Sequence, residues 1–99
     1  MTTNVQNYLD AKKFTREGIL KYEKLFGKDF VSPGGARVNG EFVAKLDLKK
    51  GEKVLDIGCG LGGNSFQMAE GFGAHVHGID LAVNMIAMAK ERSNQYGFR

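Results

Sequence analysis

At 99 residues the chain has room for one small domain, and its 42% apolar and 25% charged residues are ordinary for a globular protein. No apolar run approaches the ~20 residues of a membrane span, and the opening Met1-Thr2-Thr3-Asn4-Val5-Gln6-Asn7 lacks the basic and apolar regions of a secretory leader. The formal charge of +3 is uneven, with ten Lys/Arg against six Asp/Glu in residues 1–50 and four against five in 51–99, but the lysines are scattered and read as a solvated face rather than a nucleic-acid surface.

Taken in chain order, residues 4–13 are weakly patterned and read as a short helix or an ordered arm. Thr15 is a predicted N-cap for a helix running to Gly27, with Ile19, Tyr22, Leu25 and Phe26 on one face. A loop, Lys28 to Gly35, follows. The next predicted helix spans Val38 to Leu46, with Val38, Phe42, Val43 and Leu46 as its buried stripe. Leu48-Lys49-Lys50-Gly51 turns the chain into a strand over Lys53 to Ile57. Beyond it come a helix from Gly63 to Phe72 anchored by Phe66, Met68 and Ala69, a strand from Ala74 to Leu81, and a helix from Asn84 to Tyr96. Met85, Ile86, Met88 and Ala89 form the inner side of that last helix. Strand–helix–strand–helix with right-handed crossovers makes the two strands parallel neighbours in an α/β fold. Two parallel strands do not complete a sheet covered on both faces, so the chain is expected to be the N-terminal part of a longer protein.

The centre of the chain is Lys53-Val54-Leu55-Asp56-Ile57-Gly58-Cys59-Gly60-Leu61-Gly62-Gly63-Asn64-Ser65, an apolar run breaking into glycines at the mouth of a helix. Glycines let a ligand approach the backbone, and the helix N-terminus offers it free N–H groups. Three ligands compete. Gly58-x-Gly60-x-x-Gly63 satisfies the dinucleotide fingerprint, with Asp80 where a ribose-binding acid belongs. Gly58-x-x-x-x-Gly63-Asn64-Ser65 approaches a phosphate loop, but Asn64 stands in place of the required lysine. The third ligand is S-adenosylmethionine, marked by Asp56 two residues before the first glycine and by Asp80 closing the next strand. One carboxylate near the loop helps hold the ligand's α-amino group; the other accepts from both ribose hydroxyls. The paired acids favour this third reading. Against it stand local roles, with Asp80 as a helix N-cap and Asp56 bonding nearby N–H groups.

These residues carry a resemblance. The chain resembles the phosphoethanolamine N-methyltransferases, class I S-adenosylmethionine enzymes, over nearly all its length. The generic part is Val54-Leu55-Asp56-Ile57-Gly58-Cys59-Gly60-Leu61-Gly62-Gly63. More specific are Gly18-Ile19-Leu20-Lys21-Tyr22-Glu23-Lys24-Leu25-Phe26-Gly27, Phe30-Val31-Ser32-x-Gly34-Gly35, His77-Gly78-Ile79-Asp80-Leu81-x-x-Asn84-Met85-Ile86 and Ala89-x-Glu91-Arg92. The resemblance implies a Rossmann-like class I methyltransferase fold. Residues 1–47 would form a helical N-terminal cap, and 48–99 the first half of the S-adenosylmethionine-binding domain. It implies that Val31 and Ser32 contact the cofactor from the cap, that Gly58 and Gly60 line its methionine end, and that Asp80 binds the ribose with Leu81 beside the adenosine. Tyr22 would face the substrate. The family has Gln-Tyr just before the Gly-Ile-Leu helix, where this chain reads Lys13-Phe14. Phe14 keeps the ring and lacks the hydroxyl that could donate or relay a proton. Either the acceptor is another small amine, or Lys13 meets the phosphate by a different route.

The remaining candidates have ordinary readings. His75 and His77 share one face of a strand without further ligands, so no metal site is expected. Cys59, the single cysteine, has no activating base in view, and one cysteine that cannot form an internal disulfide suits the reducing cytoplasm. The expected activity is methyl transfer to an amine nitrogen of phosphoethanolamine or a related small amine, by in-line displacement at the sulfonium. Positioning supplies most of the acceleration, and no residue here is assigned as the base. Two other functions remain open, a non-catalytic S-adenosylmethionine-binding fragment and an NAD-dependent oxidoreductase. No nucleic-acid or membrane partner is expected, and the sequence does not give the oligomeric state.

Overall fold

A computed structural model describes residues 4–98. The arm is ordered. It begins with a short helix α1 (Asn4–Tyr8), continues as a π-helical turn over Leu9–Lys13, and ends at Thr15, which caps helix α2 (Arg16–Phe26). The Gly18 amide donates to Thr15 Oγ1 at 3.1 Å, the N-cap bond that the threonine predicts. Gly27 closes α2 with a positive φ.

Helix α3 (Gly35–Lys45) starts three residues earlier than its apolar stripe suggests. Gly34, at φ +95°, supplies the left-handed turn that launches it. Of its expected stripe Val43 is buried and Val38 half-buried, whereas Phe42 is 63% and Leu46 58% exposed; the inward row runs Gly35–Asn39–Val43, with Asn39 half-buried, rather than Val38–Phe42–Leu46. One residue's step along the helix, about 100°, separates the two rows. Small residues decide which one faces inward. Gly35 and Gly40 permit a close approach, and the Gln67 side chain crosses to donate to the Ala36 carbonyl at 2.8 Å.

Strand β1 (Lys53–Ile57), helix α4 (Gly63–Phe72), strand β2 (His75–Ile79) and helix α5 (Val83–Gln95) complete the order. The strands are parallel and in register from Lys53 opposite His75 to Ile57 opposite Ile79. Their side chains alternate. Val54, Asp56, Val76 and Gly78 are half-buried, while Leu55, Ile57, His75, His77 and Ile79 lie exposed on the other face. The apolar run of β1 therefore buries one face only.

Two apolar clusters hold these elements. Val43, Met68 and Ala74 join α3 to the sheet, with Val54 and Val76 packed against them. Ile19 of α2 packs with Leu61, Ala82, Met85 and Met88, flanked by Phe14 and Val31. On α2 only Ile19 of the expected stripe is fully buried; Leu25 is 73% exposed and Phe26 half-buried. The rest of the α2–α5 contact is ionic. Arg92 of α5 grips Glu23 of α2 and donates to Asp29 Oδ1 at 2.9 Å, and Tyr96 donates to Asp29 Oδ2 at 2.7 Å. Among the described residues no helix is long and apolar enough to cross a membrane.

Candidate functional site

The site grows from the end of β1. Gly58 takes φ +71°, and a Cβ built on it would meet nothing within 4 Å. The backbone turns there into open space that a side chain would fill. The amides of Gly58 and Cys59 both donate to the Ile79 carbonyl, at 2.7 and 2.9 Å, which ties the loop to the end of β2. Leu61 drives into the core, fully buried. Gly63 then opens α4 beneath the Phe30 loop, donating to the Asp29 carbonyl at 3.1 Å.

Asp80 is the hinge of this arrangement. One carboxylate oxygen accepts from the Gly60 amide and the other from the Ala82 amide, each at 2.9 Å. The bond to Ala82 is the local turn-stabilising role open to an aspartate here. The bond to Gly60 is not local; it fixes the acid against the glycine loop. A carboxylate has about four lone-pair sites, so both oxygens keep acceptor capacity towards the cleft beside them.

That cleft has a volume of about 430 Å³ and is lined by Leu9, Phe14, Ile57, Gly58, Ile79, Asp80 and Leu81. Its walls are aliphatic and aromatic, and Asp80 is its one charged side chain. A nucleoside fits that chemistry, with its base against the apolar wall and its ribose hydroxyls donating to the carboxylate. A diphosphate does not, since Asp80 would repel it and no Lys or Arg lines the cleft to offset the charge. A larger groove of about 660 Å³ runs between α2 and α5, lined by the Arg16, Glu23, Glu91 and Arg92 ion-pairing side chains. Its two carboxylates are already taken up by Arg16 and Arg92, whereas in the smaller cleft the Asp80 carboxylate keeps acceptor capacity beside Gly58.

Of the residues singled out in the sequence, Gly58, Asp80 and Leu81 meet in the cleft. Gly60 stands behind Asp80, holding it. Val31 backs Gly60, its Cγ2 3.3 Å from where a Cβ on that glycine would stand, and Ser32 is exposed beside it. Asp56 turns to the other face of β1 and accepts from Ser65 Oγ at 2.7 Å, so its side chain braces the loop against α4. Tyr22 is exposed on α2 and does not line the cleft. Leu9 was not visible as a wall, because nothing local marks a leucine in an unpatterned arm. Burial, with the nearby charges of Asp56 and Asp80, pushes the Cys59 thiol up to about 11. It is protonated at neutral pH and no nucleophile.

A profile of the methyltransferase domain family matches residues 48–99, more than half of the chain. The chain belongs to that family. The likeness to individual members extends into the helices before residue 48. The chain is 57% identical to phosphoethanolamine N-methyltransferase 1 of Zea mays over 88 residues, covering 89% of this chain and 18% of that protein. It is 40% identical to the phosphoethanolamine N-methyltransferase of Plasmodium falciparum over 87 residues, or 88% of this chain and 33% of that protein. The chain thus spans well under half the length of these curated relatives. The structure of phosphoethanolamine N-methyltransferase 2 of Haemonchus contortus in complex with S-adenosyl-L-methionine superposes with a TM-score of 0.90 at 40% identity, covering 97% of this chain and 23% of that one. The fold is accordingly the Rossmann-like class I methyltransferase fold, represented by its first strand–helix–strand–helix with helices ahead of it.

Proposed function

We propose that this chain supplies the S-adenosylmethionine-binding part of an N-methyltransferase acting on phosphoethanolamine or a related small amine. The observation that carries the proposal is Asp80, pinned by the Gly60 and Ala82 amides at the edge of an apolar cleft. In this reading Asp80 accepts from the ribose hydroxyls and Leu81 lies beside the adenosine. Gly58 and Gly60 line the methionine end, and Asp56 beneath the loop adds negative charge towards the α-amino group. Val31 and Ser32 contact the cofactor from the edge of the helical cap, residues 1–47, which closes over the binding unit, residues 48–99. Tyr22 belongs to the acceptor's side.

The cofactor, when bound, supplies a sulfonium-activated methyl group for in-line displacement by the amine nitrogen. The chain's own residues hold and orient the nucleoside and keep water from it. Lys13, whose ammonium lies 5.5 Å from the Phe14 ring centroid though it does not line the cleft, is the candidate cation for the acceptor's phosphate. The relative from Haemonchus contortus has been solved with phosphomonomethylethanolamine and S-adenosylhomocysteine, which supports an acceptor of this class. The setting is cytoplasmic.

Titration calorimetry of the chain with S-adenosylmethionine, beside a methylation assay on phosphoethanolamine, tests the reading. Asp80→Ala removes a charged acceptor of two hydroxyls, and at about 1.5–3 kcal/mol per such bond it should weaken binding by tenfold or more. Binding with turnover assigns the whole activity to this chain; binding alone assigns it the cofactor-holding part. A chain indifferent to S-adenosylmethionine that binds NAD would reject the proposal.

A further inference from the structure

Helix α5 has no cap of its own. Its N-cap residue is Ala82, whose side chain has nothing to offer the first free amides. Those amides are served from 73 residues away in sequence. Asp10, on the π-helical turn of the arm, accepts from the Val83 amide at 3.2 Å through one oxygen and from the Asn84 amide at 2.8 Å through the other. Asn84 returns the contact, its side-chain amide donating to the Asp10 carbonyl at 3.3 Å and to the Phe14 carbonyl at 3.0 Å. A carboxylate at a helix N-terminus is favoured by the helix dipole as well as by the hydrogen bonds.

The clasp has a geometric consequence. Asp10 is flanked by Leu9, and the Asn84 side chain bonds the carbonyl of Phe14. Leu9 and Phe14 are the two residues the arm contributes to the nucleoside cleft, facing Gly58, Asp80 and Leu81. Asp80 itself bonds the Ala82 amide, one residue before the clasp. The arm is thus latched where the ribose-side acid is anchored.

We propose that Asp10 is a positioning residue, latching the arm to the N-terminus of α5 so that Leu9 and Phe14 close the cofactor cleft. This rests on the cofactor reading above. Releasing the latch uncaps α5 and withdraws one apolar wall, so Asp10 governs how fast the nucleoside leaves.

The test follows the dissociation rate of S-adenosylhomocysteine from the full chain by stopped flow, and amide hydrogen exchange without ligand. Asp10→Ala should raise the dissociation rate at least tenfold and speed exchange at Val83 and Asn84. Asp10→Asn, which keeps an acceptor oxygen, should restore the rate to within about threefold of the original. Arg16→Ala removes an ion pair to Glu91 between α2 and α5, outside the latch, and should leave the rate unchanged. A general loss of stability would lower the bound fraction without changing the dissociation rate of the folded molecules. An unaltered rate in Asp10→Ala, from a chain that binds the ligand, overturns the latch alone. A chain that binds no S-adenosylhomocysteine overturns the cofactor reading; unaltered exchange at Val83 and Asn84 in Asp10→Ala then overturns the latch on its own terms.

Discussion

Arg92 shows how far a single side chain can organise structure beyond its own helix. Its guanidinium pairs with Glu23 on α2 and with Asp29 in the following loop, and all three side chains are about 85% or more buried. The Asp29 amide in turn donates to Glu23 Oε2 at 2.6 Å. Burial alone would raise the Glu23 carboxyl, but the hydrogen bonds from Arg92 and the Asp29 amide, with the nearby positive charge, outweigh it and hold it below its usual value. The sign of the pH effect follows. A carboxyl depressed in the folded state stabilises the fold above its unfolded value, and that stabilisation is lost as the pH falls through the folded one. Burial and the bond to Asp29 likewise push Tyr96 up to about 12. Arg92→Ala leaves two largely buried carboxylates facing each other without a cation. It should cost about 2–3 kcal/mol, somewhat less than the 3–5 of a completely buried pair, because water reaches part of this one. Urea unfolding at pH 7 and pH 4 checks it. The deficit should shrink at the lower pH as Glu23 protonates, and an equal deficit at both would show that Glu23 is not the partner that matters.

Elements were legible where their signal is local. Thr15, Gly27 and the glycines after Ile57 mark boundaries through their own backbone or side-chain chemistry, and α2, β1 and α4 lie where those residues place them. The rotation of α3 was legible only at Val43, since the sequence groups it with Val38, Phe42 and Leu46, and only the partner helix shows that the inward row runs through Gly35 and Asn39 instead. The same holds for the site. Asp80 and the glycines announce themselves by spacing, whereas Asp10 acquires a role only from residues some seventy positions away. Glu23, to which the sequence gives no role, faces inward because Arg92 meets it there. Gly63 is a local signal with a tertiary meaning. It satisfies the loop's fingerprint, yet a Cβ built on it would stand 2.6 Å from Phe30 Cζ and 2.7 Å from the Asp29 carbonyl oxygen. The carbonyl is backbone and has no rotamer to escape into. Gly63→Ala should therefore push the Phe30 loop off α4 and cost about 1–3 kcal/mol, an overpacking penalty. Gly71→Ala, in the same helix with nothing within 4 Å, should be neutral or slightly stabilising because alanine favours the helix. Thermal melting of both variants decides it; similar midpoints would mean that the loop yields freely.

The arrangement of the cores bears on whether α2 moves independently of α5 and the glycine loop. A cap that swings as a separate body needs an apolar cluster of its own, or a wet interface with its neighbour. The opposite is found. Ile19, fully buried on α2, packs with Leu61 from the glycine loop and with Ala82, Met85 and Met88 around α5. Arg92 ties α5 to Glu23 of α2, and Asp10 ties the arm to the start of α5. Through Ile19, α2 is therefore packed into the same body as the glycine loop and α5. Ile19→Ala removes a buried aliphatic side chain with little room for neighbours to collapse inward, so it should cost about 2–5 kcal/mol. The informative readout is its distribution. If α2 and α5 share one cooperative unit, amide exchange should accelerate by the same factor in both, and also in the glycine loop through Leu61. Acceleration confined to α2, with α5 and Leu61 as slow as before, would instead establish a cap that opens from Arg16 onward, and would place the hinge in the Phe30 loop.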